Sequence, residues 1–222
     1  MQVGGAGGCV YAGTTSFGFF SGEALPQQVG VRDASARRYV PTPAEMASAQ
    51  AMRLPVDPPR TPDDPRSVSA DGLALPGRAL CMLDEISGYL PTGGPHGLGF
   101  IRGRKQVDPG EWFFAAHFYQ DPVCPGSLGL ESFLQLLKVV ARERWGAQRA
   151  SSHRFTPIEP RRPHTWAYRG QIIPTNRQIE VEAVITAIED DPVPTIRANG
   201  FLIVDGVVIY EMTDFGITLV AV

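Results

Sequence analysis

Two side chains in this sequence could move protons together, His117 and Glu131. An imidazole, with its ordinary pKa of about 6.5, takes and gives protons at neutral pH. A lone histidine after the apolar run Phe113, Phe114, Ala115, Ala116 is nevertheless more often a hydrogen-bonded core residue than a base. Glu131 is the odder of the two. It falls in the first turn of the longest helical pattern, where Leu130, Phe133, Leu134, Leu137, Val140 and Ala141 recur at the spacing of a buried face. Leu136 and Val139 widen that face, so the helix is expected to be covered on most sides. Gln135 and Lys138 extend Glu131 into a narrow polar stripe. A carboxylate buried there is costly unless paired or protonated, and a carboxyl kept partly protonated can serve as an acid. The plainer role is a first-turn acid favoured by the helix dipole.

The entrance to this helix has chemistry of its own. Pro125 suits the start of a helix, where its missing N–H costs nothing. Gly126 follows, at a helix end whose unpaired N–H groups can hold a developing oxyanion; as a turn glycine it is explained nearly as well. Ser127 lacks the glycine two residues before it that a nucleophile elbow needs, since Pro125 stands there. Cys124 reads as buried, Asp121 as a turn or cap residue and His96 as a solvated loop histidine. No metal cluster, phosphate loop or nicotinamide fingerprint is found in the sequence.

The stretch HFYQDPVCPGSLGLES, with Gln135 four residues beyond Glu131, resembles the bacterial β-hydroxydecanoyl-thioester dehydratase family, and most of all the dehydratase domains of polyunsaturated fatty acid and polyketide synthases. The resemblance extends over MLDEI at 82–86, DPGEWFFAAHF at 108–118, YRGQIIPTNRQIEVEA from Tyr168 and LIVDGVVIYEMTDFGITL from Leu202. It covers residues 73–222 and implies a hot-dog fold, α+β, with an antiparallel sheet wrapped around one long helix. It further implies that His117 is the base and Glu131 the acid, and that Val123, Gly126, Ser127 and Gln135 bind the substrate or its oxyanion. The substrate would be a 3-hydroxyacyl chain on the phosphopantetheine arm of an acyl carrier protein, dehydrated without further cofactor. Glu131 departs from the Asp of the family's dehydratase/isomerase branch, so dehydration is implied more firmly than isomerisation. In the family the histidine and the carboxylate come from different units, which implies a homodimer or a neighbouring hot-dog domain. A thioesterase of the same fold and a non-catalytic structural unit are the alternatives. The 14-residue spacing of His117 and Glu131 favours dehydration.

Composition sets the remaining limits. At 43% hydrophobic the chain can bury a core, and a net charge of −3 gives no reason to expect nucleic acid. An acidic carrier protein would have to meet a local patch, for which Arg142, Arg144, Arg149, Arg161 and Arg162 are candidates. Cys9, Cys81 and Cys124 form no even disulfide set, which fits a reducing cytoplasm. No signal peptide or membrane span is expected.

Along the chain, GCVYAGTTSFGFF from Gly8 reads as a strand with nothing before it to pair with, and it echoes the C-terminal GVVIYEMTDFGIT. Residues 1–22 are therefore expected to be the trailing strand of a preceding hot-dog unit, or an extra strand. Residues 23–72 are rich in proline and read as a linker, with a capped helical piece from Thr42 and Glu45. Strands are expected at 98–105, 112–118 and 178–187, a type I′ hairpin at Asp205-Gly206, and a helix stop at Gly146.

Overall fold

The computed structural model describes residues 1–16, 18, 29–54 and 73–222. One long helix, α4 (Gly126–Arg149), lies against a strongly bent antiparallel sheet. The sheet is built from β3 (Gln50–Arg53), β4 (Glu85–Leu90), β5 (Phe100–Gln106), β8 (Gln178–Glu189), β9 (Thr195–Val204), β10 (Val207–Ala221) and β6 (His153–Phe155), hydrogen-bonded in that order. An eighth strand, β7 (Thr165–Tyr168), pairs with the first half of β10, and β6 pairs with its last residues. A bulge with Asp214 at φ 56° lies between the two halves. The result is the α+β arrangement of one sheet around one helix that the resemblance implies.

The helix is apolar nearly all round because it is covered nearly all round. Phe133, Leu136, Leu137 and Ala141 are fully enclosed, and Trp145 is buried in the following turn. They meet the inward residues of the sheet, among them Val181, Ile185, Ile196, Ala198, Phe215 and Ile217. Contact is closest at Gly200, where a Cβ would sit 2.9 Å from the Phe133 ring and 2.5 Å from the Glu182 carbonyl. Glycine there lets helix and sheet meet at backbone distance. Asp205 and Gly206, both at positive φ, make the β9–β10 hairpin turn.

Two local expectations are corrected. Residues 112–118 form no strand: Trp112–Ala116 is a short helix, α3, with His117 as its C-cap. Phe113 and Phe114 are neighbours and both buried, whereas Ala115 and Ala116 are exposed, a pattern that a period of two cannot give. Gly146 does not end α4, which continues to Arg149. The last turn is held from outside, since Arg144 and Arg149 reach Asp190 and Asp191 in the β8–β9 connection.

The expected linker 23–72 contains residues that pack on the domain. Two short helices, α1 (Ala34–Arg37) and α2 (Pro43–Ser48), and then β3 cross the outer face of the sheet and its β4 edge. Val31 and Ala34 cover Phe201 and Ile203, which point away from α4. The Val31 N–H donates to the Val208 carbonyl at 2.8 Å. Arg38 pairs with Glu182 at 2.6 Å, and Arg102 reaches the same carboxylate at 3.1 Å. Arg37 holds Glu211. Tyr39 packs edge-on to Phe100 and donates to Glu45, the acid of the Thr42 capping box. Residues 55–72 lie outside the described residues.

At the N-terminus, β2 (Gly8–Ala12) does have a partner. It pairs with β1 (Gln2–Gly5), Val3 opposite Tyr11, in an exposed two-stranded sheet separate from the large one. The aromatic residues Phe17, Phe19 and Phe20 of the C-terminal echo lie outside the described residues.

A truncation series separates these two pieces. Removing 1–28 is expected to leave the melting temperature nearly unchanged. Removing 1–54 strips the cover from Phe201 and Ile203 and leaves Glu182 without Arg38. Arg102 still holds Glu182, so the loss is that of charge-assisted hydrogen bonds, ~1.5–3 kcal/mol, which corresponds to a drop of roughly 3–12 °C at ~2–4 °C per kcal/mol for a chain of this size. Equal melting of the two truncations by circular dichroism would mean that the 29–54 segment is not held to the sheet.

Candidate active site

His117 is positioned by α3 and the loop after it. The turn before α3 is closed by Asp108, which accepts from the Gly110 N–H at 2.8 Å. Glu111 is anchored to the buried Lys105 at 2.8 Å, and the Trp112 indole donates to the Ala79 carbonyl at 2.9 Å. At the far end the His117 N–H caps Phe113. Its ring Nδ1 lies 3.0 Å from the Val123 carbonyl. A carbonyl only accepts, so Nδ1 carries the hydrogen and the neutral ring keeps its lone pair on Nε2. The chain then turns through Phe118 and Gln120, at φ 57° and 59°. Such conformations are costly for residues with side chains and tend to be kept where geometry matters. Phe118 tilts over the imidazole with the ring centroids 4.0 Å apart.

The start of α4 is fixed by a different set. Pro125 is the N-cap residue and supplies no side-chain cap. The Gly126 carbonyl accepts from the Tyr210 hydroxyl at 3.0 Å. Tyr210 is fully buried, stacked by Trp166 and flanked by Tyr168 and Phe133. Gly129 lies over its ring, where a Cβ would come within 3.1 Å. Burial raises the Tyr210 hydroxyl well above the usual phenol range and Tyr168 to about 12, so both remain neutral. Gly126 is the first helical residue and has no positive φ. A Cβ on it would meet Trp166 and Tyr168 only at ordinary distances of 3.7 and 4.0 Å. Its turn role is thus not required by the fold. The first N–H groups of the helix, at Gly126 and Ser127, have no intrahelical acceptor, and Ser127 is exposed. Cys124 is buried, its thiol pushed up to about 12 by desolvation.

Glu131 is paired. Its Oε1 accepts from Lys138 Nζ at 2.8 Å and from Gln135 Nε2 at 3.1 Å. Gln135 also donates to the Leu80 carbonyl at 2.6 Å and accepts from the Met82 N–H at 2.9 Å. The polar stripe read in the sequence is therefore one network, tied to the chain just before β4. Oε2 has no hydrogen-bond partner among the described residues, and the side chain is 22% exposed. His117 and Glu131 are not hydrogen-bonded to each other among the described residues; each has its own anchors. A cleft of about 440 Å³ near Lys105, Cys81, Asp84 and Glu111 is lined by neither of them.

A family model described as a FabA-like domain matches residues 75–213. The chain belongs to the FabA-like domain family. Within this FabA-like domain the matched region carries β4 to β9, the first half of β10 and the whole of α4, but not the 29–54 segment. The chain is 33% identical over 218 residues to a polyunsaturated fatty acid synthase polypeptide of Thraustochytrium sp.. That match takes in 94% of this chain and 14% of the length of the relative. Among solved structures, a mutant thioesterase from Pseudomonas aeruginosa is similar over 55% of this chain and 76% of its own, at 9% identity and a TM-score of 0.39. A thioesterase from Haemophilus influenzae is similar over 55% and 72%, at 5% identity and a TM-score of 0.37.

Four of the five arginines offered as a basic patch are engaged by other groups, while Arg161 is exposed at φ 61°. Arg144 pairs with Asp190, Arg149 with Asp191, and Arg162 with Glu159 and Asp214, while Arg142 donates to the Leu73 carbonyl. No described helix is long and apolar enough to cross a membrane. The residue that sequence reasoning missed is Tyr210. Its only signal was a large hydroxylated ring inside the apolar C-terminal strand.

Proposed function

We propose that this FabA-like domain dehydrates 3-hydroxyacyl thioesters to trans-α,β-enoyl thioesters, the acyl chain being carried on the phosphopantetheine arm of an acyl carrier protein. The observation that carries this reading is the His117 ring, whose Nδ1 is committed to Val123 and whose Nε2 is left as a base. His117 Nε2 removes the α proton. The electron pair passes to the thioester oxygen, which is held by the first N–H groups of α4 at Gly126 and Ser127. It returns to form the Cα–Cβ double bond as the β-hydroxyl leaves. Glu131, in its protonated form with Oε1 still accepting from Lys138 and Gln135, gives that hydroxyl the proton on Oε2, and water departs. Elimination beside a thioester needs only an acid, a base and help for the oxyanion.

Val123 orients the base, and Gln135 orients the acid. The two groups are anchored separately within one chain, which supports a site completed by a second copy or a neighbouring hot-dog unit. The edge of β7 opposite β10 is unpaired among the described residues and is the natural place for that pairing. The relation to a polyunsaturated fatty acid synthase supports a carrier-protein setting within a larger synthase.

The test is to incubate the chain with a 3-hydroxyacyl thioester of carrier protein or pantetheine. Enoyl absorbance should rise while free thiol stays constant. Thiol release without enoyl would replace dehydration with thioester hydrolysis. Neither product, from folded and paired protein, would leave a structural unit.

A further inference from the structure

Lys138 is buried at 8% exposure, on the same helix as Glu131 and seven residues beyond it. A lysine in that position is costly unless its ammonium is paired, and the group it is paired with is the proposed acid. The two donors on Glu131, Lys138 and Gln135, converge on one oxygen, Oε1. The other oxygen is left for substrate. Gln135 cannot move independently, since its amide is also clamped by Leu80 and Met82. Lys138 is therefore the second arm of a fork that fixes the carboxylate plane. Between Leu80 and Met82, the clamping segment brings no charged group. Its one titratable residue is Cys81, whose Sγ donates to the Leu83 carbonyl and which burial keeps as a neutral thiol. Arg142, one turn further along α4, donates to the Leu73 carbonyl.

From this arrangement, and resting on the dehydratase reading above, we infer that Lys138 is a positioning residue for the reaction: it holds Oε1 of Glu131 so that Oε2 is the oxygen that meets the β-hydroxyl. It does not touch substrate. Its effect belongs to the chemical step, where a small misplacement of a reacting group is expensive, and not to acyl-chain binding.

The experiment uses the full chain with a 3-hydroxyacyl-pantetheine substrate and a double-mutant cycle. Lys138→Met keeps the buried stem and removes the charge; it should lower kcat by ~10–100-fold with KM little changed. Lys138→Arg should restore most of kcat. In a Glu131→Gln background the same Lys138→Met change should cost almost nothing further, because residues acting as a unit do not add. The cycle is repeated on thermal unfolding with Glu131→Ala, which removes the oxygen that Lys138 holds and so reads the ion pair whether or not the protein dehydrates anything. An equal kcat loss from Lys138→Met with and without Glu131 would overturn the inference. So would a loss confined to KM, or one not rescued by arginine. Wild-type protein without dehydratase activity would instead overturn the functional reading, and the catalytic role of Lys138 with it. The unfolding cycle would then still decide whether the pair forms.

Discussion

His117→Ala should lower dehydration by ~10²–10⁴-fold, the range for a lost general base, while the fold survives. Among the described residues the ring makes one hydrogen bond, to Val123, and the backbone N–H that caps α3 is retained in the variant. The structural cost is therefore about 1 kcal/mol. Glu131→Gln should produce a similar loss for a different reason. The amide can present its oxygen to Lys138 and Gln135, so the network keeps its shape, but it cannot supply an acid proton. If His117 of one unit works with Glu131 of another, the two variants are complementary. Refolding them together would produce mixed dimers with one intact pocket, and a fraction of the activity should return in the enoyl assay. Activity persisting in His117→Ala would remove that residue as the base. Mixed dimers that form but stay silent would remove the shared site.

The other large effect concerns stability. Tyr210→Ala should cost ~3–5 kcal/mol, as for other buried aromatic truncations, seen as a lower midpoint in denaturant. Tyr210 has no exposed surface, three aromatic neighbours, and a hydroxyl that holds the first carbonyl of α4. Tyr210→Phe divides these roles. It keeps the packing and loses one hydrogen bond, so stability should fall by only ~1–2 kcal/mol. Catalysis should fall further than stability suggests, because Gly126 lies where the thioester oxygen would bind. A Tyr210→Ala protein with the wild-type midpoint would show that the helix start is held by something else.

How legible all this was depends on which faces are covered. The strand 178–189 shows its alternation because Glu180 stays partly open to solvent while Ile179, Val181 and Ile185 face the helix. The strand 195–204 does not alternate: Phe201, Leu202, Ile203 and Val204 are all buried, two against the helix side and two beneath the 29–54 segment. That outer cover was hidden by its own proline content, which reads as linker, and its attachment to the sheet depends on partners far along the chain such as Glu182 and Val208. The central helix was plain from its period, yet its end was misplaced, because Gly146 carries a local stop signal and the distant Asp190 overrides it. At the site, the Glu131, Gln135 and Lys138 stripe is short-range and could be read. The bonds from Val123 to His117 and from Tyr210 to Gly126 depend on loop path and sheet register, which spacing alone does not encode.

The crossing segment also governs what a sheet of this kind can join. A bent sheet with two bare edges would accept a neighbour on each side and could propagate into a fibre. Here one edge is occupied by β3, only four residues long and ending in Arg53, a short charged strand that makes a poor template for another chain. Among the described residues, the edges left for growth are those of β6 and β7, and two copies joined there would exhaust each other's capacity to add a third. By this device a domain with one open sheet edge would remain a closed pair even at high concentration.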